Sequence, residues 1–390
     1  ALALALVPLP VPMAAAQSAG ELSLQQVLQV AMERAGGAVS ISETPPYQAS
    51  SWLSGSPSLS VSYLESNERD GVDEAELSLN LPIKSGQRRR ADTALASLSG
   101  ELAGLAREHR ALYFSGLIRE AVWSYRIADA RRRAAAQKRQ LLLTLEQRQQ
   151  DLVAANASST YDLLLLQKEL VDVEISQQEY LRQARQWLGQ YRLITGLGSM
   201  PADIEEPQLA QTAFIAGQHP QMRTLEASMA ERRQMLSAIS EQAADWNLSV
   251  NAKNLDAGNY DEDQYGLALE MPLSFINLES QVNNSEWQAV NREYSLAREQ
   301  LLSQLHSRWQ LLLDEAEVLA RKQALLARAS ELSEQIAGQL QDLLASNEIG
   351  QDIALRRMMD AIDTRTAAHT NELLLKQNNA MLRQAAGLSL

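Results

Sequence analysis

The sequence predicts a mainly α-helical chain with a small β part, in which a unit of helix, strand, strand, long helix and return helix is built twice. Three observations carry this prediction. The stretch Leu77-Ser-Leu-Asn-Leu-Pro82-Ile83 returns as Leu267-Ala-Leu-Glu-Met-Pro272-Leu273, 190 residues later, and the alternating run Leu59-Ser-Val-Ser-Tyr63 returns as Leu248-Ser-Val-Asn-Ala252 at an offset of 189. A fixed offset held by separate features marks an internal duplication. Hydrophobic residues make up 45% of the 390 but aromatics only 5%, a composition of long helices rather than of a compact mixed core. Each strand pair is also followed by a run of about seventy residues almost free of proline and glycine, which at roughly 1.5 Å per residue makes a helix of about 100 Å.

Charge and cysteine content narrow the function classes. Against 48 acidic residues stand 35 basic ones, a net charge of −13, so the basic face that a nucleic-acid partner requires is not expected. The sign fits a conduit for cations, and more commonly an acidic solvated surface. With no cysteine, disulfides, thiolate zinc sites, cysteine nucleophiles and a lipidated N-terminal cysteine are excluded. Residues 1–16, an apolar run followed by Pro8, Pro10, Pro12 and Ala14-Ala15-Ala16, read as the remnant of a secretory signal, so an exported protein is expected. No stretch reaches 18 uncharged apolar residues, so no transmembrane helix is expected.

The first repeat, 17–198, opens with helical periodicity from Leu22 to Arg34, ended by Gly36-Gly37, and a second brief helical segment from Pro45 through Trp52. Strands at 58–65 and 74–83 alternate apolar and polar around a charged turn, the length and pattern of transmembrane barrel strands; a soluble sandwich edge reads the same way. A long helix, 87–155, is interrupted at Asn156-Ala-Ser-Ser-Thr160, where Asn suits a left-handed turn and Ser or Thr caps a new helix. The return helix runs 160–195. Residues 199–218, with Pro201, Pro207 and the acidic Asp203-Ile-Glu-Glu206, form a linker. The second repeat, 219–390, has a helix from Gln221 to Ala244, strands at 246–255 and 265–273 around the polar tip 257–263, a long helix at 279–345, a break at Ser346-Asn-Glu-Ile-Gly350, and a return helix at 351–386.

Four strands cannot close a barrel, because two edges stay unpaired and a bilayer does not tolerate them. Three copies supply twelve strands, an even number in the range of outer-membrane barrels, and set twelve helical rods around the same axis as an α-barrel. Rods in a closed wall have neighbours on two flanks, which calls for two narrow apolar stripes on otherwise polar helices.

This duplicated order, from about Leu22 to Leu388, resembles the TolC-like outer-membrane efflux proteins. The most specific matches are the strand ends Leu77 to Ile83 and Leu267 to Leu273 and the tip Asn156-Ala-Ser-Ser-Thr-Tyr-Asp162, which is similar to the family's Gly-x-x-Ser/Thr-x-x-Asp turn. Trp52-Leu-Ser-Gly-Ser-Pro-Ser-Leu59, with Leu81-Pro82-Ile83 and Gly86-Gln87-Arg88, resembles the heavy-metal and cation efflux branch most. The resemblance implies a passive homotrimeric channel, not an enzyme and without cofactor, its barrel in outer-membrane lipid of a Gram-negative bacterium and most of its mass in the periplasm. It also implies a periplasmic adaptor and an inner-membrane pump of the resistance-nodulation-division type as partners. Adaptor docking falls on Asn156, Ser158, Ser159 and Asp162 in the first copy and on Asn347, Glu348, Gly350 and Asp352 in the second. Arg356, Asp360 and Asp363 are the aperture candidates, and Pro82 and Pro272 mark the strand-to-helix turns. Asn in place of the tip glycine is a departure from the family pattern in both copies.

Blander readings stand beside these. Asp360 and Asp363 fit a cation gate, and more commonly a solubilised helix face. Arg88-Arg89-Arg90 fits lipid headgroups or a solvated helix start. Met358-Met359 fits core packing better than soft-metal contact. The four histidines have no ligand spacing, so no metal site is expected. Trp52, Trp246 and Tyr265 suit an interfacial girdle. A duct for a type I protein or peptide secretion system, and a periplasmic structural coiled-coil protein, are the alternatives. The latter gives no reason for two hairpins of spanning length.

Overall fold

A computed structural model describes residues 22–38, 50–68, 71–157, 159–211, 213–239, 245–258, 260–271, 281–345 and 351–390. The expected signal remnant, the helical segment from Pro45 up to residue 49 and the second tip, 346–350, lie outside them. The elements are α1 (Leu24–Ala38), β1 (Ser58–Leu64), β2 (Asp73–Ile83), α2 (Gly86–Ala154), α3 (Thr160–Thr195), α4 (Pro220–Ile239), β3 (Trp246–Asp256), β4 (Asp261–Glu270), α5 (Gln281–Ala345) and α6 (Gln351–Ala385).

Two compact units divide the chain, one made of residues 1–39, 110–215 and 305–390, the other of 40–109 and 216–304. Each unit draws on both halves of the chain.

The helical unit has its core where α1, α2, α3 and α6 meet. Ser23 and Gln26 form a reciprocal capping box, Gln26 N donating to Ser23 Oγ at 3.3 Å and Ser23 N to Gln26 Oε1 at 2.8 Å, and this starts α1. Its buried Val27, Leu28 and Ala31 pack with Ile118, Val122 and Trp123 of α2, Tyr191 of α3 and Ala380 of α6. Each large side chain buried there contributes about 1.5–3 kcal/mol. The helix continues through Gly36 and Gly37, which the sequence places as its end, to Ala38. Gly196 ends α3 in the left-handed region at φ 77, its N–H donating to Arg192 O. A Cβ at Gly196 would come within 2.2 Å of Arg34 Nη1. A second cluster joins Ala135 and Leu142 of α2 with Leu166 and Val173 of α3 and with Met359, so core packing is the role of that methionine.

The other unit holds the sheet. Its order is β1-β2-β3-β4, all antiparallel, so the hairpins of the two halves pair through β2 and β3. Residues 50–52 are not helical. Ser50 Oγ accepts from Leu53 N at 3.0 Å, and Leu53 bridges to Ile83, extending the sheet past the start of β1. Pro82 therefore sits inside β2, where it has no N–H to give and its carbonyl accepts from Ser54 N. β4 begins at Asp261, four residues before the expected start, and the tip shortens to residues 257–260. Lys84 is buried between Ser50 O and Asp92, and Arg88 donates to Ala238 O, so two cations of the strand-to-helix turn tie protein to protein. Arg89 and Arg90 remain exposed.

Candidate functional site

The period of two along a strand sorts the sheet into two faces. Leu59 stands opposite Leu79 and Val61 opposite Leu77; Leu79 in turn faces Val250 and Leu81 faces Leu248; Val250 then meets Leu267 and Leu248 meets Leu269. One apolar face thus runs unbroken across all four strands. The reverse face is polar, with Ser60 opposite Ser78, Ser249 Oγ donating to Asn80 Oδ1 at 2.6 Å, and Lys253 paired with Glu74 at 2.6 Å. Gly266 of β4 lies against Asn251, whose Oδ1 would be 2.1 Å from a Cβ there.

Within this single chain the apolar face is open: Val61 is 75%, Leu267 75% and Tyr265 81% exposed. An uncovered apolar surface of this extent marks contact with membrane or partner protein. Apolar on one face and polar on the other, in strands of about ten residues, is the pattern of a membrane barrel. Trp246 opposite Ile83 and Tyr265 opposite Ala252 border a band about 20 Å long at roughly 3.3 Å per residue, with Trp52 and Tyr63 also exposed. Aromatic residues at the borders of such a band suit the two interfaces of a bilayer. β1 and β4 each have a single strand neighbour among the described residues.

The first helix tip is built by two local devices. Asn156 adopts φ 53, while Ala157 N donates to Leu152 O at 2.8 Å and Asn156 N to Val153 O at 3.0 Å, the double bond pattern of a Schellman stop. Asn suits this position because its short polar side chain tolerates the left-handed conformation. Ser159 then caps α3: its Oγ accepts from Asp162 N at 3.2 Å and donates to Asp162 Oδ2 at 2.9 Å. Tyr161, Leu164 and Leu165 next to it are exposed.

The structure separates the remaining candidates. Asp360 is exposed and 3.4 Å from Arg357, and Asp363 receives Lys138 of α2 at 2.8 Å, so Asp363 ties α6 to α2. Arg356 is exposed, and Asp352 is the second residue of α6. Ser158, Pro272, Asn347, Glu348 and Gly350 lie outside the described residues. Among those described, no three His, Cys, Asp or Glu residues gather as a metal site, and no helix is long and apolar enough to cross a membrane. The contribution of Lys138 was not singled out from the sequence, since nothing local to α2 marks which of its cations meets α6.

No protein-family model matches the sequence, and no curated protein is similar to it. Solved structures are similar. The outer membrane protein VceC of Vibrio cholerae superposes over 94% of this chain and 96% of its own with TM-score 0.66 at 15% identity. CusC, whose structures describe folding and transmembrane channel formation, does so over 94% and 92% with TM-score 0.65 at 12% identity. The open MtrE outer membrane channel of Neisseria gonorrhoeae covers 93% of this chain and 88% of its own, with TM-score 0.62 at 14% identity. The chain has the TolC-like fold.

Proposed function

We propose that the protein is the outer-membrane channel of a tripartite efflux system, a passive exit duct without chemistry of its own. The observation that carries this reading is the open apolar face on a sheet whose edge strands, β1 and β4, each have a single strand neighbour among the described residues. Lipid covers such a face, and further copies satisfy such edges. Three copies give a twelve-stranded barrel in the outer membrane of a Gram-negative bacterium.

The helices carry a matching feature. Leu311, Val318, Leu325 and Leu332 of α5 recur every seven residues and are 69%, 62%, 70% and 50% exposed in the single chain. A seven-residue apolar repeat is the seam of a left-handed coiled coil, and a neighbouring subunit's helix is the occupant proposed here. The tip of Asn156, Ser158, Ser159 and Asp162, with Asn347, Glu348, Gly350 and Asp352 of the second copy, docks a periplasmic adaptor that links the duct to a resistance-nodulation-division pump. Arg356, Asp360 and Asp363 line the aperture. Metal cations or small toxic compounds are the proposed cargo, supported by the run from Trp52 to Leu59 and by the acidic balance of the chain.

The test is the mass of the detergent-solubilised complex together with single-channel conductance in a planar bilayer. A conducting trimer supports the duct; a monomer without conductance refutes it. Leu311→Glu with Leu325→Glu is expected to yield monomers, and an undiminished trimer would move the interface elsewhere.

A further inference from the structure

The linker 199–215 is more than a connection, because it carries a buried carboxylate, Glu206. Glu206 is 7% exposed at its side chain and lies between two guanidinium groups. Arg119 of α2, 1% exposed, reaches both its oxygens at 2.8 and 2.6 Å, and Arg383 of α6 reaches Oε2 at 3.0 Å. The remaining Arg119 donor, Nη1, goes to Gln384 Oε1 at 2.6 Å and to Leu388 O at 2.9 Å. Further contacts follow along the linker: Arg126 of α2 donates to Ala202 O, Lys376 of α6 pairs with Glu205 at 2.6 Å, and Leu209 N donates to Asn379 Oδ1 of α6.

Apart from the two Arg119 Nη1 bonds, which run directly to α6 and to Leu388, every one of these bonds joins the linker to α2 or α6, and none of the three Glu206 contacts is local in sequence. We infer that residues 201–209 are a clasp that holds α2 and α6 at a set spacing through Glu206, and that these two helices part only when that carboxylate is released. Away from the clasp, Gln384 Nε2 of α6 donates to Leu112 O of α2 at 2.7 Å, and the charged tie between the two helices is of another kind. Lys138–Asp363 has an acid 60% exposed, and such pairs hold little. A buried carboxylate with two guanidinium partners fixes geometry instead, because removing it strands the buried charge of Arg119 and takes a partner from the half-buried Arg383. The clasp also closes one end of a groove between α2 and α6, since Arg126 both bonds the linker and lines that groove with Gln137 and Thr366.

Because the chain has no cysteine, spin labels can be placed at Gln137→Cys and Thr366→Cys alone, in the full chain purified in detergent. The expected result is one narrow distance distribution for the parent, a broader one shifted to longer distance for Glu206→Gln, a smaller shift in the same direction for Arg383→Gln, and none for Glu205→Gln, whose pair is exposed. Helicity by circular dichroism identifies folded variants. An unchanged distribution in folded Glu206→Gln overturns the clasp, as does an equal shift in Glu205→Gln. Should Glu206→Gln fail to fold, Arg383→Gln decides, and an unchanged distribution there overturns it too.

Discussion

Leu81 of β2 stands directly opposite Leu248 of β3, so the hairpins of the two halves of the chain share one sheet and one apolar face. Leu79 lies on that face beside Val250, and Ser78 points to the reverse. Leu79→Lys is expected to destabilise the membrane-inserted protein by about 2–4 kcal/mol, as a cation does on the lipid face of a barrel. Ser78→Lys should cost much less. Urea unfolding in lipid vesicles measures both, and equal losses would remove the distinction between the faces.

Gly266→Ala drives a methyl into Asn251, whose amide occupies the space a Cβ would take. Overpacking of this kind costs about 1–3 kcal/mol. Adding Asn251→Ala is expected to restore most of the loss, because the obstacle is a side chain and not backbone. A double-mutant cycle in the same unfolding assay reads the coupling.

Asn156 holds φ 53 at the end of α2. Asn156→Gly should be neutral or mildly stabilising, whereas Asn156→Val should cost roughly 1–2 kcal/mol, since a β-branched residue is poorly accommodated in the left-handed region. Hydrogen exchange of the last turn of α2 and the first turn of α3 localises the effect; fraying of both turns with Val and neither with Gly is the expected pattern.

His219 is buried at the start of α4, where its Nδ1 accepts from Gln221 N at 3.3 Å, and Gln221 Nε2 in turn lies 3.3 Å from His109 Nε2. Burial, and then the neighbouring His109, lower its pKa to about 4. The neutral form is the one the fold prefers, so its contribution is complete above pH 6.5 and is lost as pH falls from there towards 4, on the order of 3 kcal/mol in all. His219→Asn keeps a cap acceptor that does not titrate. Its stability between pH 6.5 and 4 should vary less than that of the parent, and parallel pH profiles would show that another group carries the acid loss.

The sequence by itself determined what short-range periodicity and spacing can encode. Alternation from Leu77 to Leu81 assigns a strand with one apolar face, a proline-free run sets α2, and the spacing of Asn156, Ser159 and Asp162 places a helix stop and a cap within seven residues. These depend on the chain's own local geometry, so a single sequence displays them. Only the tertiary structure decided which partners meet. The pairing of β2 with β3, the bridge of Leu53 to Ile83 just past the expected helical segment, the tie of Lys138 to Asp363 and the burial of Glu206 between Arg119 and Arg383 all join residues remote in sequence. An acidic run in a proline-bounded linker looks solvated when read alone, because desolvation depends on the helices packed around it, and the sequence of the run does not record them.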